Sequence, residues 1–176
     1  MKGRTTISKI TNGHEEVLVR KENDLNSELI NELVDNMQGI HDYSIDDLLQ
    51  TENYGGTSPK EGDASGTGSG IVVYQAGVPY VRQWYFMDCG GESGIGSMVI
   101  SGNELTVTGY LHGSDDFVGD FTKAYLGKQL KIVGDETTPV SDTNGVIYAS
   151  QTFDAITITA SDTLKIVWDI YGTTST

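Results

Sequence analysis

The stretch Ile156-Thr157-Ile158-Thr159-Ala160-Ser161-Asp162-Thr163-Leu164-Lys165-Ile166-Val167-Trp168-Asp169-Ile170 holds two runs of apolar residues at every second position. Ile156 and Ile158 alternate with threonines, and Leu164, Ile166, Trp168 and Ile170 alternate with Lys165 and Asp169. Successive side chains of an extended chain point to opposite faces, so each run predicts a strand with one apolar and one polar face. With Ala160-Ser161-Asp162 between them, the two predict a terminal hairpin.

The same pattern recurs upstream. Tyr80, Arg82, Trp84 and Phe86 fall on one side of a predicted strand, and Leu105, Val107 and Leu111, then Leu130 and Ile132, mark two more. At the N-terminus, Thr6–Ile10 and Glu15–Val19 flank Asn12-Gly13, the pair that best accepts the positive φ angles of a two-residue hairpin. Leu29, Ile30, Leu33, Val34 and Met37 are spaced for one helical face, with Asn26 as cap and Gly39 as stop, and predict an amphipathic helix over 26–38. Ser44-Ile45-Asp46-Asp47 predicts one further helical turn. GGTSPKEGDASGTGSG, residues 55–70, has no apolar residue larger than alanine and reads as a flexible loop. The expectation is one compact, mainly β domain: hairpin and helix over 1–50, a glycine-rich loop over 51–70, and a β domain over 71–176. Short strands with glycine-rich turns argue for an antiparallel β-sandwich or small barrel rather than alternating β-α units.

Lys and Arg total 11 against 25 Asp and Glu, a net charge of −14, which repels a nucleic-acid backbone and an anionic membrane surface. The single cysteine, Cys89, cannot make an intrachain disulfide, and the first residues lead into a polar stretch without an apolar signal region. No apolar run approaches the roughly 18–20 residues that cross a bilayer. Synthesis in a cytoplasm is expected.

Candidate chemistry is sparse. Gly66-Thr67-Gly68-Ser69-Gly70 precedes a strand instead of following one, unlike a dinucleotide-binding loop, and Gly94-Ile95-Gly96 fails in the same way. His14, His41 and His112 lie far apart, and none has another ligand-type residue at helical spacing to hold zinc. Cys89 and the serines lack a catalytic setting in the sequence. Asp115, Asp116 and Asp120 cluster as carboxylates do by chance in so acidic a chain. Asp142-Thr143-Asn144-Gly145 resembles the start of a calcium loop, but its glycine comes too early and no acid closes it, so a β-turn is expected there. No cofactor is implied. The one candidate contact surface is Tyr80, Arg82, Trp84 and Phe86, where an arginine among aromatics suits an interface or a sugar-stacking platform as well as a core.

The stretch from Gly134-Asp135-Glu136 through Asp142-Thr143-Asn144-Gly145 and Val146-Ile147-Tyr148-Ala149-Ser150, then Phe153-Asp154-Ala155-Ile156-Thr157 and Asp162 to Ile170, resembles the C-terminal end of a diffuse group of bacteriophage virion structural proteins. In that group an aspartate-threonine-leucine element and a tryptophan strand close a β domain. Val19-Arg20-Lys21-Glu22-Asn23-Asp24-Leu25 is similar to the start of such proteins. The resemblance implies a non-enzymatic, multi-copy tail, collar or fibre-attachment component, located in the virion, whose partners are other virion proteins and copies of itself. Capsid decoration or a head fibre is the nearest alternative. A carbohydrate-binding β-sandwich, with a host-surface glycan as partner, is the alternative from another class.

Overall fold

Asn12 and Gly13 both adopt positive φ, 51° and 79°, the conformation a two-residue turn needs to match the right-handed twist of its flanking strands. The hairpin they close is longer than the apolar runs predicted: β1 spans Lys2–Thr11 and β2 spans His14–Asn23, antiparallel from Gly3↔Asn23 to Thr11↔His14. The computed structural model describes residues 2–23, 25, 67–77, 84–87, 97–101, 104–131 and 140–171. The predicted helix over 26–38, the turn after Ser44 and residues 55–66 of the predicted loop lie outside the described residues.

The remaining strands are β3 (Thr67–Ala76), β4 (Trp84–Phe86), β5 (Ser97–Ser101), β6 (Glu104–His112), β7 (Gly119–Lys131), β8 (Val140–Ile158) and β9 (Asp162–Tyr171). They form two antiparallel sheets, ordered β2-β1-β9-β6-β5 and β4-β3-β7-β8. The sheets pack face to face as a β-sandwich. One inner face supplies Ile7, Val107, Leu111, Leu164, Ile166, Trp168 and Ile170 to the shared core; the other supplies Ile71, Val73, Phe121, Leu126, Tyr148, Phe153 and Ile158. Full burial of each such aliphatic or aromatic side chain contributes roughly 1.5–3 kcal/mol.

Both predicted C-terminal strands exist, but they do not pair with each other as a hairpin. β8 pairs with β7 in one sheet, and β9 lies between β1 and β6 in the other. The turn between them is a corner joining the layers. Its organiser is Asp162, 4% exposed, whose Oδ2 accepts the backbone N–H of Thr159 at 2.9 Å and the Thr159 hydroxyl at 2.6 Å. Its Oδ1 accepts the Thr11 hydroxyl at 2.5 Å, and Lys9 Nζ lies 3.1 Å from Oδ2 while also donating to the Thr157 carbonyl at 3.1 Å. A paired hairpin would have directed both apolar rows into one sheet; the carboxylate instead gathers the end of β1 and the exit of β8 at one point. Gly113, opening a 3-10 turn over Gly113–Asp115, sits so close to this corner that a Cβ would meet the Thr159 carbonyl oxygen at 1.9 Å.

Two other expectations are corrected. Thr67-Gly68-Ser69-Gly70 is not loop but the start of β3, held by pairing of Thr67, Gly68 and Gly70 with Lys131, Leu130 and Gly127. Ladder hydrogen bonding there overrides the weak strand propensity of glycine. The chain also does not reverse at Asn144-Gly145. β8 runs through it, and the register with β7 jumps from Leu130↔Ser141 to Lys128↔Val146, so that Asp142–Gly145 form an irregularity opposite Gln129.

Among the described residues, Trp168 is the largest fully buried side chain. With the Asn23 amide oriented to satisfy both its groups, it accepts the Trp168 indole N–H at 3.0 Å and donates to the Gly3 carbonyl at 3.0 Å. The end of β2 is thereby tied to the core strand β9. Trp168→Ala should destabilise the protein by about 3–5 kcal/mol and Asn23→Ala by about 1–3 kcal/mol, with less than additive loss in the double variant, as read by urea denaturation.

The hydrogen bonds to Asp162, that from Thr11 foremost, hold its carboxyl far below the ordinary 3.8. The folded state therefore binds this proton less readily than the unfolded chain, so the stabilisation is complete above about pH 4 and is lost as pH falls further. Asp162→Asn should cost about 1.5–3 kcal/mol at pH 7, and the gap from the parent should shrink as denaturation is repeated at successively lower pH below 4.

Candidate functional site

β2 reads His14-Glu15-Glu16-Val17-Leu18-Val19-Arg20-Lys21-Glu22-Asn23 and ends the five-stranded sheet, with β1 on one side and no strand on the other among the described residues. Its ladder with β1 passes from Ile7↔Val19 to Ser8↔Val17, so Leu18 is an inserted residue with no opposite number. Such a bulge bends the strand and re-aims its side chains. Val19 packs against the core, but Val17 and Leu18 are left 49% and 41% exposed. Sheet edges are usually guarded by charge, proline or cover, because unpaired N–H and C=O groups template a further strand. Here charge guards the two ends of β2, and its middle is apolar.

The charges beside this edge are partly engaged. Lys165 Nζ donates to both Glu15 oxygens, at 3.2 and 3.0 Å, and this hydrogen bond, foremost, lowers the Glu15 pKa. Glu22 accepts from Lys2 at 3.3 Å and from the Tyr171 hydroxyl at 3.2 Å. Further in, Asp169 joins three strands: Arg4 donates to its Oδ2 from Nη2 at 2.8 Å and Nε at 3.2 Å, and the Thr106 hydroxyl donates to Oδ1 at 2.9 Å. This outer face also holds Tyr110 and His112, their rings parallel with centroids 6.2 Å apart, and His112 Nδ1 lies 3.0 Å from the Thr163 hydroxyl. The arrangement is a cross-linked polar face that stiffens the sheet behind β2.

Of the contact residues read from the sequence, Tyr80 and Arg82 lie outside the described residues. β4 sets Trp84 opposite Tyr74 and Phe86 opposite Val72. Phe86 is 1% exposed and packs with Val72, Tyr74, Tyr125 and Ile147 in a second apolar cluster on the outer side of the four-stranded sheet. A sugar-stacking platform needs a ring face open to solvent, which Phe86 does not offer. Tyr85 turns the other way, toward Phe117 and Phe121, with centroids 5.4 and 6.3 Å apart. Asp120 accepts the Thr157 hydroxyl at 2.6 Å and so braces β7 against β8. Among the described residues, no group of three His, Cys, Asp or Glu side chains converges as a metal site would require.

Val17 and Leu18 were not singled out by the sequence pattern, although three consecutive apolar residues inside a strand, Val17-Leu18-Val19, already break the alternation of a regular one-face strand. Comparison of the chain with protein-family models, with curated proteins and with solved structures finds no match in any of the three.

The exposure difference sets an expected contrast. Phe86→Ala should cost about 3–5 kcal/mol of folding stability, whereas Leu18→Lys should stay within about 0.5 kcal/mol of the parent in the monomer, both read by denaturant titration at low protein concentration.

Proposed function

We propose that the protein is a non-enzymatic structural component of a bacteriophage particle, present in several copies in a tail, collar or fibre-attachment site, and that it works by contact with other virion proteins and with itself. The observation that carries the contact reading is the β2 edge: a stiff, cross-linked sheet ends in a strand whose outer side is uncovered among the described residues and whose Val17 and Leu18 face solvent. An edge of this kind adds a strand from a neighbour through main-chain hydrogen bonds, and the exposed apolar pair gains cover in the process.

Three further points support the virion reading. The elements that carry the resemblance, Asp162-Thr163-Leu164 and the Trp168 strand, are the corner and the central core strand that close this sandwich. A charge of −14 keeps the protein off packaged nucleic acid. The polar outer face of the five-stranded sheet suits a protein exposed on a particle.

The test is quantitative mass spectrometry of gradient-purified particles from a culture that produces the chain. Several copies per particle, in fixed ratio to tail or collar proteins, are expected. Absence from particles while the chain accumulates in the lysate would overturn the reading.

A further inference from the structure

We propose that the outer edge of β2 pairs, antiparallel and about a two-fold axis, with β2 of a second copy of this chain. The proposal deepens the contact reading above by naming the partner, and rests on it for its setting. The charges that flank the apolar centre of the strand are segregated: Glu15 and Glu16 lie on one side of Val17-Leu18-Val19 and Arg20 and Lys21 on the other, with Glu22, beyond the basic pair, already held by Lys2 and the Tyr171 hydroxyl. A two-fold axis near Leu18 brings the acidic end of each copy onto the basic end of the other and the apolar centres together. A parallel apposition would set like charges side by side. The edge is thus its own complement in one orientation, which is the requirement for an isologous contact.

Two further observations select a second copy over an arbitrary edge. The ion pairs among the described residues use Lys2, Arg4, Lys9 and Lys165, whereas Arg20 and Lys21, both exposed, join none of them. And because the chain carries −14, a haphazard contact between copies is repelled; a self-contact must set cations against carboxylates, and β2 does so twice by symmetry. One strand edge is smaller than the roughly 1,200–2,000 Å² of a stable stand-alone interface, so the isolated pair is weak and is strengthened where copies are held together on a particle.

The experiment is sedimentation equilibrium of the full chain from about 10 to 500 μM, where a weak pair is read. The parent should dimerise. Glu15→Lys with Glu16→Lys, and separately Arg20→Glu with Lys21→Glu, should each weaken self-association by about tenfold or more, and an equimolar mixture of the two variants should restore a dimer. The first variant lowers the net negative charge and the second raises it, so an effect of overall charge would drive them in opposite directions. Leu18→Lys, at the unpaired bulge position, should also be monomeric, with a thermal melt like the parent's as the check on folding. A monomeric parent at every concentration, variants that associate as the parent does, or a mixture that stays monomeric would overturn the pairing. A monomeric parent found at several copies in particles would overturn this pairing and leave the structural reading intact; a dimer absent from particles would do the reverse.

Discussion

A buried carboxylate at the corner between two sheets sets the geometry of this protein. Asp162 draws the Thr159 amide and hydroxyl, the Thr11 hydroxyl and the Lys9 ammonium to one point. A buried charge is tolerated only when its lone pairs are met, and here the partners come from the exit of β8 and the end of β1. The consequence is register. With Asp162 opposite Thr11, β9 is committed to Ile7↔Ile166 and Thr5↔Trp168 on one side and to Val107↔Trp168 on the other. A slip of one residue would turn Leu164, Ile166, Trp168 and Ile170 out to solvent and bring Lys165 and Asp169 into the core.

From that register the outer edge follows. Trp168 reaches its hydrogen-bond partner Asn23 at the end of β2, and Asp169 clamps Arg4 on β1 and Thr106 on β6. β2 is therefore anchored at its C-terminal end by the core and at its N-terminal end by the Asn12-Gly13 turn. Between the anchors, ten residues of β2 must match nine of β1, from Thr11↔His14 to Gly3↔Asn23. The extra residue is Leu18, and the bulge that accommodates it presents apolar side chains on an otherwise charged edge.

The sequence was legible wherever one strand face is buried and the other is wet. β9, β6 and the N-terminal hairpin announced themselves by alternation or by Asn-Gly, and the mainly β class followed. It was misleading where pairing partners decide the outcome. Nothing in Ile156–Ile170 distinguishes two strands of one hairpin from two strands of different sheets, because each buries the same alternate residues in either case. Asn144-Gly145 has the chemistry of a turn but lies in a strand whose ladder resumes beyond it, and Gly68 and Gly70 pair despite weak propensity because Leu130 and Gly127 lie opposite. In the aromatic run, Phe86 was visible as a large residue on a strand face, but which face is covered depends on Val72, Tyr74, Tyr125 and Ile147, which come from three other strands. The β2 edge was harder still, since edge position is a property of sheet order and leaves only a faint local trace.

On the proposed pairing β2 is the surface through which the protein meets its neighbours, and amide hydrogen exchange reads that strand directly. Between dilute and concentrated solutions of the full chain, exchange across residues 15–21 should slow as the outer edge is covered, while β9, already flanked by β1 and β6, keeps its rate. If exchange in β2 is the same at every concentration, and the same again in assembled particles, then this edge is not where the protein makes its contacts.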